Sequence, residues 1–134
     1  MNIENEELAT AIYGYAPTLH DAWLQGLELT GGKCILKLVY YDTPEGRPIQ
    51  GSNDIYALLV IEILGVIEVV WPLSADSVYR HEVDLVNGQL ALKLEMNDGR
   101  SGHIAGSSIR YLSCEVVPRD QARDLKRSKL LTLR

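Results

Sequence analysis

The residues with the clearest chemical potential are His20 and Asp21, because a carboxylate beside an imidazole can orient that ring as a general base. The pair stands at the start of a predicted strand, where adjacent side chains point to opposite faces. We therefore expect the two side chains to point apart and to hold the start of the strand through bonds to the backbone. The sequence predicts a structural role for this motif and no catalytic residue.

The remaining residues of metal and thiol chemistry are scattered. His81 and His103 form no HxH or HxxxH pair with each other or with His20. Cys34 and Cys114 are not spaced as a metal pair and are too few for a disulfide framework. We expect neither a metal site nor a cofactor. Cys34 lies on the apolar side of a predicted strand, which predicts an inert thiol in the core.

The distribution of charge indicates a type of partner. The chain carries a net charge of -5, but residues 1–118 hold 16 acidic and 7 basic side chains, which is -9, while residues 119–134 hold six basic and two acidic ones. Such an acidic body repels nucleic acid and speeds association with a basic protein. Solubility is the alternative use of the same charge. We expect no nucleic-acid partner.

Two acidic residues interrupt the most apolar part of the chain. Glu62 and Glu68 either point to solvent between inward neighbours or belong to an acidic face that docks a basic partner. Three more acids begin, occupy and end the longest predicted loop. The predicted partner-binding residues are Glu62, Glu68, Asp42, Glu45 and Asp54.

The apolar run that must position these residues is 55–73, IYALLVIEILGVIEVVWPL. A membrane helix needs about 20 apolar residues, and two Glu with Gly65 and Pro72 count against one. We predict two buried strands, Tyr56–Ile63 and Ile67–Leu73, rich in the residues that suit a pleated surface. Gly65 lies between them at a tight connection or bulge, and no membrane contact is expected.

Elements on both sides of this run follow from local signals. Asn87-Gly88 is a strong hairpin signal, and Asn5 is placed to cap a helix that begins there. Alternation places Trp23, Gln25, Leu27 and Leu29 together on one side of the first strand. It places Cys34, Leu36, Leu38 and Tyr40 together on the apolar side of the second strand. The predicted segments are a helix at 5–13, strands at 23–30, 33–41, 79–86, 89–96, 100–105 and 108–117, and a loop at 42–54.

The predicted fold is α+β and mainly β. Seven or eight strands form an antiparallel sheet or two packed sheets with one short N-terminal helix. Residues 1–118 form a single antiparallel β-rich domain, and residues 119–134 form a basic C-terminal tail that is either a frayed helix or disordered. Three Glu among the first ten residues are unlike a secretory signal, so we expect a cytoplasmic protein.

A family resemblance adds a functional expectation. Leu19-His20-Asp21-Ala22 before a strand, the later apolar strand LLVIEILGV at 58–66 and hairpins that close near Cys114 resemble the immunity protein 50 family of bacterial polymorphic-toxin systems. The resemblance covers about Ile12 to Val117. It implies a cytoplasmic β-rich domain, without catalysis, that binds and neutralises a cognate toxin; many such toxins are basic.

Two alternatives stay open beside this reading. One is a small-ligand binding or enzymatic domain with a cleft near His20, Asp21 and His103. The other is a structural homodimer in which a second copy covers an edge strand or a sheet face.

Overall fold

A computed structural model describes residues 2–46, 54–71, 77–127 and 130–133 of the chain. Within these ranges the protein consists of two β-sheets and two short helices, so the predicted α+β, mainly β class with an N-terminal helix is confirmed. The elements are α1 (Glu7–Tyr13), β1 (Trp23–Thr30), β2 (Lys33–Asp42), β3 (Ile55–Leu64), β4 (Glu68–Val70), β5 (Val78–Val86), β6 (Gln89–Met96), β7 (Ser101–Gly106), β8 (Ser108–Val117), α2 (Arg119–Arg127) and β9 (Leu130–Leu133).

The two sheets have different strand orders. One sheet runs β8-β3-β2-β1-β9, and the other runs β4-β7-β6-β5. Strands β1 to β8 pair antiparallel with their neighbours, while β9 lies parallel to β1. The β5–β6 hairpin turns at Asn87-Gly88, whose φ angles of 51° and 78° are both positive, as a type I′ turn requires.

The main core lies where alternation predicted it in β2 and β3. Each second side chain of these central strands is fully buried, and the buried ones pack against inward residues of β6 and β7. The residues of β2 and β3 that are buried in this core are Cys34, Leu36, Leu38, Tyr40, Ala57, Leu59, Ile61 and Ile63. The alternating pattern therefore marks the faces correctly in the two central strands.

The chain crosses between the sheets at two adjacent points. Gly65 has a φ of 60° and lets β3 of one sheet lead to β4 of the other, as the predicted connection required. The return crossing follows Gly106, where a Cβ would lie 2.5 Å from the carbonyl oxygen of Leu64. The Ser107 amide donates to that same oxygen at 2.8 Å, so the two crossings lie side by side.

The second strand of the central run is shorter and more exposed than predicted. β4 covers only Glu68–Val70, and Ile67 and Val70 are 66% and 42% exposed. The predicted second strand is therefore present but shorter, and Val69 and Trp71 are only partly buried against the core. The end of the predicted strand Ile67–Leu73 lies outside the described residues. The reason for the exposure is that β4 pairs with β7 alone and forms an edge of its sheet.

The predicted strand at 23–30 is present as β1, but its simple alternation is interrupted. The register with β2 shifts between Leu24 and Gly26, so a bulge at Gln25 separates the two halves of the strand. Leu24 and Leu27 face the main core, whereas Trp23 pairs with Val39 on the opposite, outer face. A single extra residue thus moves Trp23 out of the main core.

The N-terminal segment closes an edge of the five-stranded sheet. The Glu4 amide donates to the carbonyl oxygen of Ile109, and the Tyr111 amide donates to that of Glu4. Asn5 does not cap the helix as predicted, since α1 begins at Glu7 and the Asn5 amide group donates to the Tyr111 carbonyl oxygen at 3.2 Å. The Asn5 side chain therefore binds the edge strand β8 instead of the end of the helix.

Helix α2 packs on the outer face of the five-stranded sheet. Ala122 is fully buried there beside Trp23, Val39 and Val117. Leu125 packs against the same group. The segment expected as a tail thus contains a helix with its own small apolar contact, followed by β9. In the described residues no helix has the length and apolar character needed to cross a membrane.

Candidate functional site

His20 and Asp21 lie in a turn before β1, and both side chains are about half exposed. Leu19 and Asp21 have φ angles of 60° and 64°, in the left-handed region that residues with a Cβ seldom occupy. This backbone brings the His20 Nε2 atom to 3.5 Å from Asp21 Oδ2. The expectation that the two side chains point apart is wrong, because it assumed a strand where the chain forms a turn.

The contacts of the His20 ring differ from those of a catalytic base. Nδ1 lies 2.9 Å from the carbonyl oxygen of Tyr79, which can only accept, so Nδ1 carries the proton and donates it. Nε2 faces Asp21. In a catalytic pair the carboxylate binds one ring nitrogen and leaves the other free for substrate. Here both nitrogens have neighbours, and the ring joins the start of β1 to β5.

Asp21 extends the same connection to β6. Its Oδ1 accepts a hydrogen bond from the Asn97 amide group at 3.1 Å, and that group also donates to Ser77 Oγ at 2.7 Å. The Asp21 amide donates to the carbonyl oxygen of Val78. The motif therefore lies where the two sheets meet, and its polar groups contact residues of this chain.

The other two histidines lie in different settings. His81 Nδ1 donates to the carbonyl oxygen of Thr18 at 2.9 Å. Burial lowers the pKa of His81, while this hydrogen bond and the charge of Glu6 raise it by smaller amounts. His103 lies on the outer face of the four-stranded sheet and has its Nε2 atom 3.4 Å from Glu68 Oε1.

His103 lines a groove of about 380 Å³ on that outer face, which also contains Arg80, Glu82, Lys93 and Glu95. We call it the sheet groove. Its cations have nearby carboxylates: Arg80 Nε lies 2.6 Å from Glu95. Lys93 Nζ lies 2.7 Å from Asp84. Neither His20 nor Asp21 lines the groove, so it lacks the convergence on which the small-ligand alternative depended.

The two thiols are poor nucleophiles in this fold. Burial raises the pKa of Cys34 to about 12 and that of Cys114 to about 11. Both thiols are free, and both face the main core. Since the thiolate is the reactive form, neither side chain is activated. Among the described residues, no group of three or more His, Cys, Asp or Glu side chains is arranged to hold a metal ion.

Two of the five predicted partner-binding acids have basic neighbours. Glu62 is only 7% exposed, and its Oε1 accepts from both Nε and Nη2 of Arg110 at 2.9 Å. Glu68, at the edge strand β4 of the other sheet, lies beside His103. These two acids lie on different sheets, and the structure does not bring them together with the other three.

The other three acids lie at one end of the β2–β3 hairpin. Asp42, Glu45 and Asp54 form what we call the acidic corner. Asp42 accepts from the Tyr40 hydroxyl at 2.9 Å and from the Thr43 amide at 2.8 Å. The Thr43 hydroxyl donates to Asp54 at 2.8 Å. Within the described ranges no basic side chain forms an ion pair with these carboxylates.

Tyrosines hold the backbone of the acidic corner. The Tyr13 hydroxyl donates to the carbonyl oxygen of Ile55 at 2.9 Å, and the Tyr15 hydroxyl donates to that of Thr43 at 3.1 Å. The Glu45 amide donates to the Tyr13 carbonyl oxygen, while the Glu45 side chain remains exposed. Burial raises the pKa of Tyr13 and Tyr15, and the nearby Asp42 raises both further. The hydroxyls therefore stay protonated and keep donating at neutral pH.

An aromatic patch beside this corner was missed by the sequence analysis. Trp23, Tyr41 and Tyr56 lie together on the outer face of the five-stranded sheet. The Tyr41 and Tyr56 rings are stacked with centroids 5.2 Å apart and an interplanar angle of 18°. Lys126 of α2 holds its Nζ atom 4.9 Å from the centre of the Trp23 ring. Alternation along β2 already places Tyr41 outward, but the β1 bulge hides the position of Trp23.

Comparison of the chain with protein-family models, curated proteins and solved structures gives no match.

Proposed function

We propose that this chain is a non-enzymatic binding protein that captures a basic protein partner at the acidic corner. In the reading that the sequence favours, the partner is a bacterial toxin that is neutralised in the cytoplasm. The single observation that carries the proposal is the placement of Asp42, Glu45 and Asp54 at one hairpin end, without an ion pair to a basic side chain among the described residues. A basic partner supplies the missing counter-charge.

The charge of the whole body supports the same partner. Residues 1–118 carry a formal charge of -9, so a basic protein is attracted before contact is made. Such steering acts mainly on the association rate and weakens as salt screens the charges over a Debye length of about 8 Å at physiological ionic strength. A stable complex of ordinary size buries roughly 1,200 to 2,000 Å² in total.

The acidic corner is also pre-organised for binding. Two carboxylates accept hydrogen bonds from Tyr40 and Thr43, and two further tyrosines hold the neighbouring backbone. A partner therefore meets charges that are already oriented, and little ordering entropy is lost on binding. Tyrosine is also among the residues enriched at energetic centres of protein interfaces.

The test is a pull-down with the tagged full chain at low and high salt, followed by mass spectrometry. We expect one basic protein that is retained at low salt and released at high salt. Glu45→Lys reverses an exposed charge in the acidic corner and should abolish retention. Glu115→Lys reverses an exposed charge on β8 and serves as the matched control. Recovery of no basic protein at low salt, or equal loss with both variants, contradicts the proposal.

The sheet groove favours a second candidate function, the binding of a small polar ligand. Its 380 Å³ is within the range of small-molecule sites, and it presents Arg80, Lys93 and His103 beside carboxylates. A ligand with both an acidic and a basic group would fit this lining. Thermal-shift screening of zwitterionic metabolites tests it, and a response that survives His103→Ala and Lys93→Met would locate the ligand elsewhere.

A further inference from the structure

We infer that the aromatic patch, with Asp21 and Asp54 beside it, is the docking site for an arginine side chain of the basic partner. This inference rests on the proposed function, because it names the contact through which that partner is held.

The rings present a suitable surface for a planar cation. Tyr41 and Tyr56 are stacked and only partly buried, and Trp23 is tilted by 44° to Tyr41 and by 52° to Tyr56. The face of an aromatic ring is electron-rich and attracts a cation that lies within about 6 Å. A guanidinium group on such a surface gains both charge attraction and stacking of its plane on the rings. An ammonium group gains the charge attraction alone.

Two carboxylates lie beside these rings. Asp54 precedes Tyr56 by two residues and is fixed by the hydroxyl of Thr43, while Asp21 is fixed by Asn97. Both charges act on Tyr41, whose pKa is raised by burial and then by these neighbours. Negative charges that oppose ionisation of a phenol also attract a cation to the same place.

The chain itself supplies a cation to this surface. Lys126 lies over Trp23 at 4.9 Å, so one face of the patch already holds a positive charge. Trp23 is only 7% exposed, yet its indole N–H has no hydrogen-bond partner in the part of the chain that the structure describes. This donor is closed off from solvent, so the Trp23 indole N–H reports on the patch without contacting a docked segment itself.

The test uses N-acetyl-arginine amide as the probe and follows the ¹⁵N–¹H signal of the Trp23 indole, assigned with a Trp71→Phe variant. The neutral control is N-acetyl-glutamine amide at the same ionic strength. We expect saturable shifts with the arginine probe and none with the glutamine probe. Tyr56→Leu should weaken binding by about two- to fivefold, the range that an exposed cation–π contact contributes.

Three charge variants sharpen this result. Asp54→Asn should weaken binding of the probe, whereas Asp84→Asn, on the other sheet, should leave it unchanged. Lys126→Gln removes the chain's own cation from Trp23 and should strengthen binding. These substitutions are at half-buried or exposed positions, and heteronuclear spectra of each variant report whether it is folded. Equal shifts with both probes, or an unchanged affinity in both Tyr56→Leu and Asp54→Asn, would overturn the inference.

The pull-down separates this inference from the proposed function. If a basic protein is retained by the wild type and equally by Tyr56→Leu, the partner exists but does not use the aromatic patch. If the probe binds as expected and no basic protein is retained, the patch binds cations and the proposed function fails.

Discussion

Removing the Arg110 charge tests whether Glu62 belongs to the fold and not to an interface. The Glu62 side chain is 9% exposed and that of Arg110 is 44% exposed, and the two residues are directly paired between β3 and β8. Arg110→Met leaves a buried carboxylate without its cation. A fully buried pair loses roughly 3 to 5 kcal/mol in this way. Water reaches Arg110, so we expect a smaller loss of about 1 to 3 kcal/mol.

This loss is large enough to measure by thermal unfolding. The unfolding entropy of a chain of 134 residues is about 0.28 kcal/mol/K, at roughly 2.1 cal/mol/K per residue. A loss of about 2 kcal/mol therefore lowers Tm by about 7 °C. Tryptophan fluorescence during urea unfolding measures the same change as a lower midpoint with an unchanged slope.

A double variant and a surface control isolate the cause. Glu62→Leu combined with Arg110→Met removes both charges and should recover most of the stability, because no unpaired charge remains. Arg80→Met breaks an exposed pair, with Arg80 72% exposed, and should lower the stability much less than Arg110→Met. The reasoning is refuted if Arg110→Met costs no more than Arg80→Met, or if the double variant is less stable than Arg110→Met.

Three further predictions test other parts of the structure. Since burial lowers the folded-state pKa of His81 below its unfolded value of about 6.5, the unfolded chain binds the proton first. Stability should therefore fall as pH drops below about 6.5, and less so in His81→Asn, measured by urea unfolding at pH 7 and 5. Gly106→Ala places a methyl group against β3 and should cost about 1 to 3 kcal/mol or more, compared with roughly 1 to 2 kcal/mol of backbone strain for Gly99→Ala, where space is open. Cys34 and Cys114 should resist iodoacetamide at pH 8 in the folded protein and react in urea; rapid labelling of the native state would contradict their raised pKa values.

The central strands could be predicted because their pattern is local. Alternation along β2 and β3 has a period of two, and a sheet buried on one face imposes the same period. The bulge at Gln25 breaks that rule without any Gly or Pro at the bulged position, so alternation groups Trp23 with Leu27 and Leu29 although Trp23 lies on the opposite face. The turn at His20 was missed for a similar reason: positive φ at Leu19 and Asp21 has no sequence signal that a glycine would have given.

The pairing of charges could not be predicted because it depends on distant parts of the chain. Glu62 and Arg110 are 48 positions apart in the sequence. His103 of β7 contacts Glu68 of the neighbouring edge strand β4. A sequence read in order shows five similar acids. The fold places a basic side chain beside two of them, Arg110 beside Glu62 and His103 beside Glu68.

Asp54 connects the two surfaces proposed for the partner. It belongs to the acidic corner through Thr43, and it lies beside the aromatic patch through its closeness to Tyr56 and Tyr41. A single basic segment that crosses this end of the β2–β3 hairpin can therefore contact both the carboxylates of the acidic corner and the rings of the aromatic patch. Long-range attraction is supplied by the carboxylates and falls with salt, whereas stacking on the rings acts only at contact. Asp54→Asn should consequently slow association, while Tyr56→Leu should speed dissociation, and surface plasmon resonance with the captured partner separates the two effects.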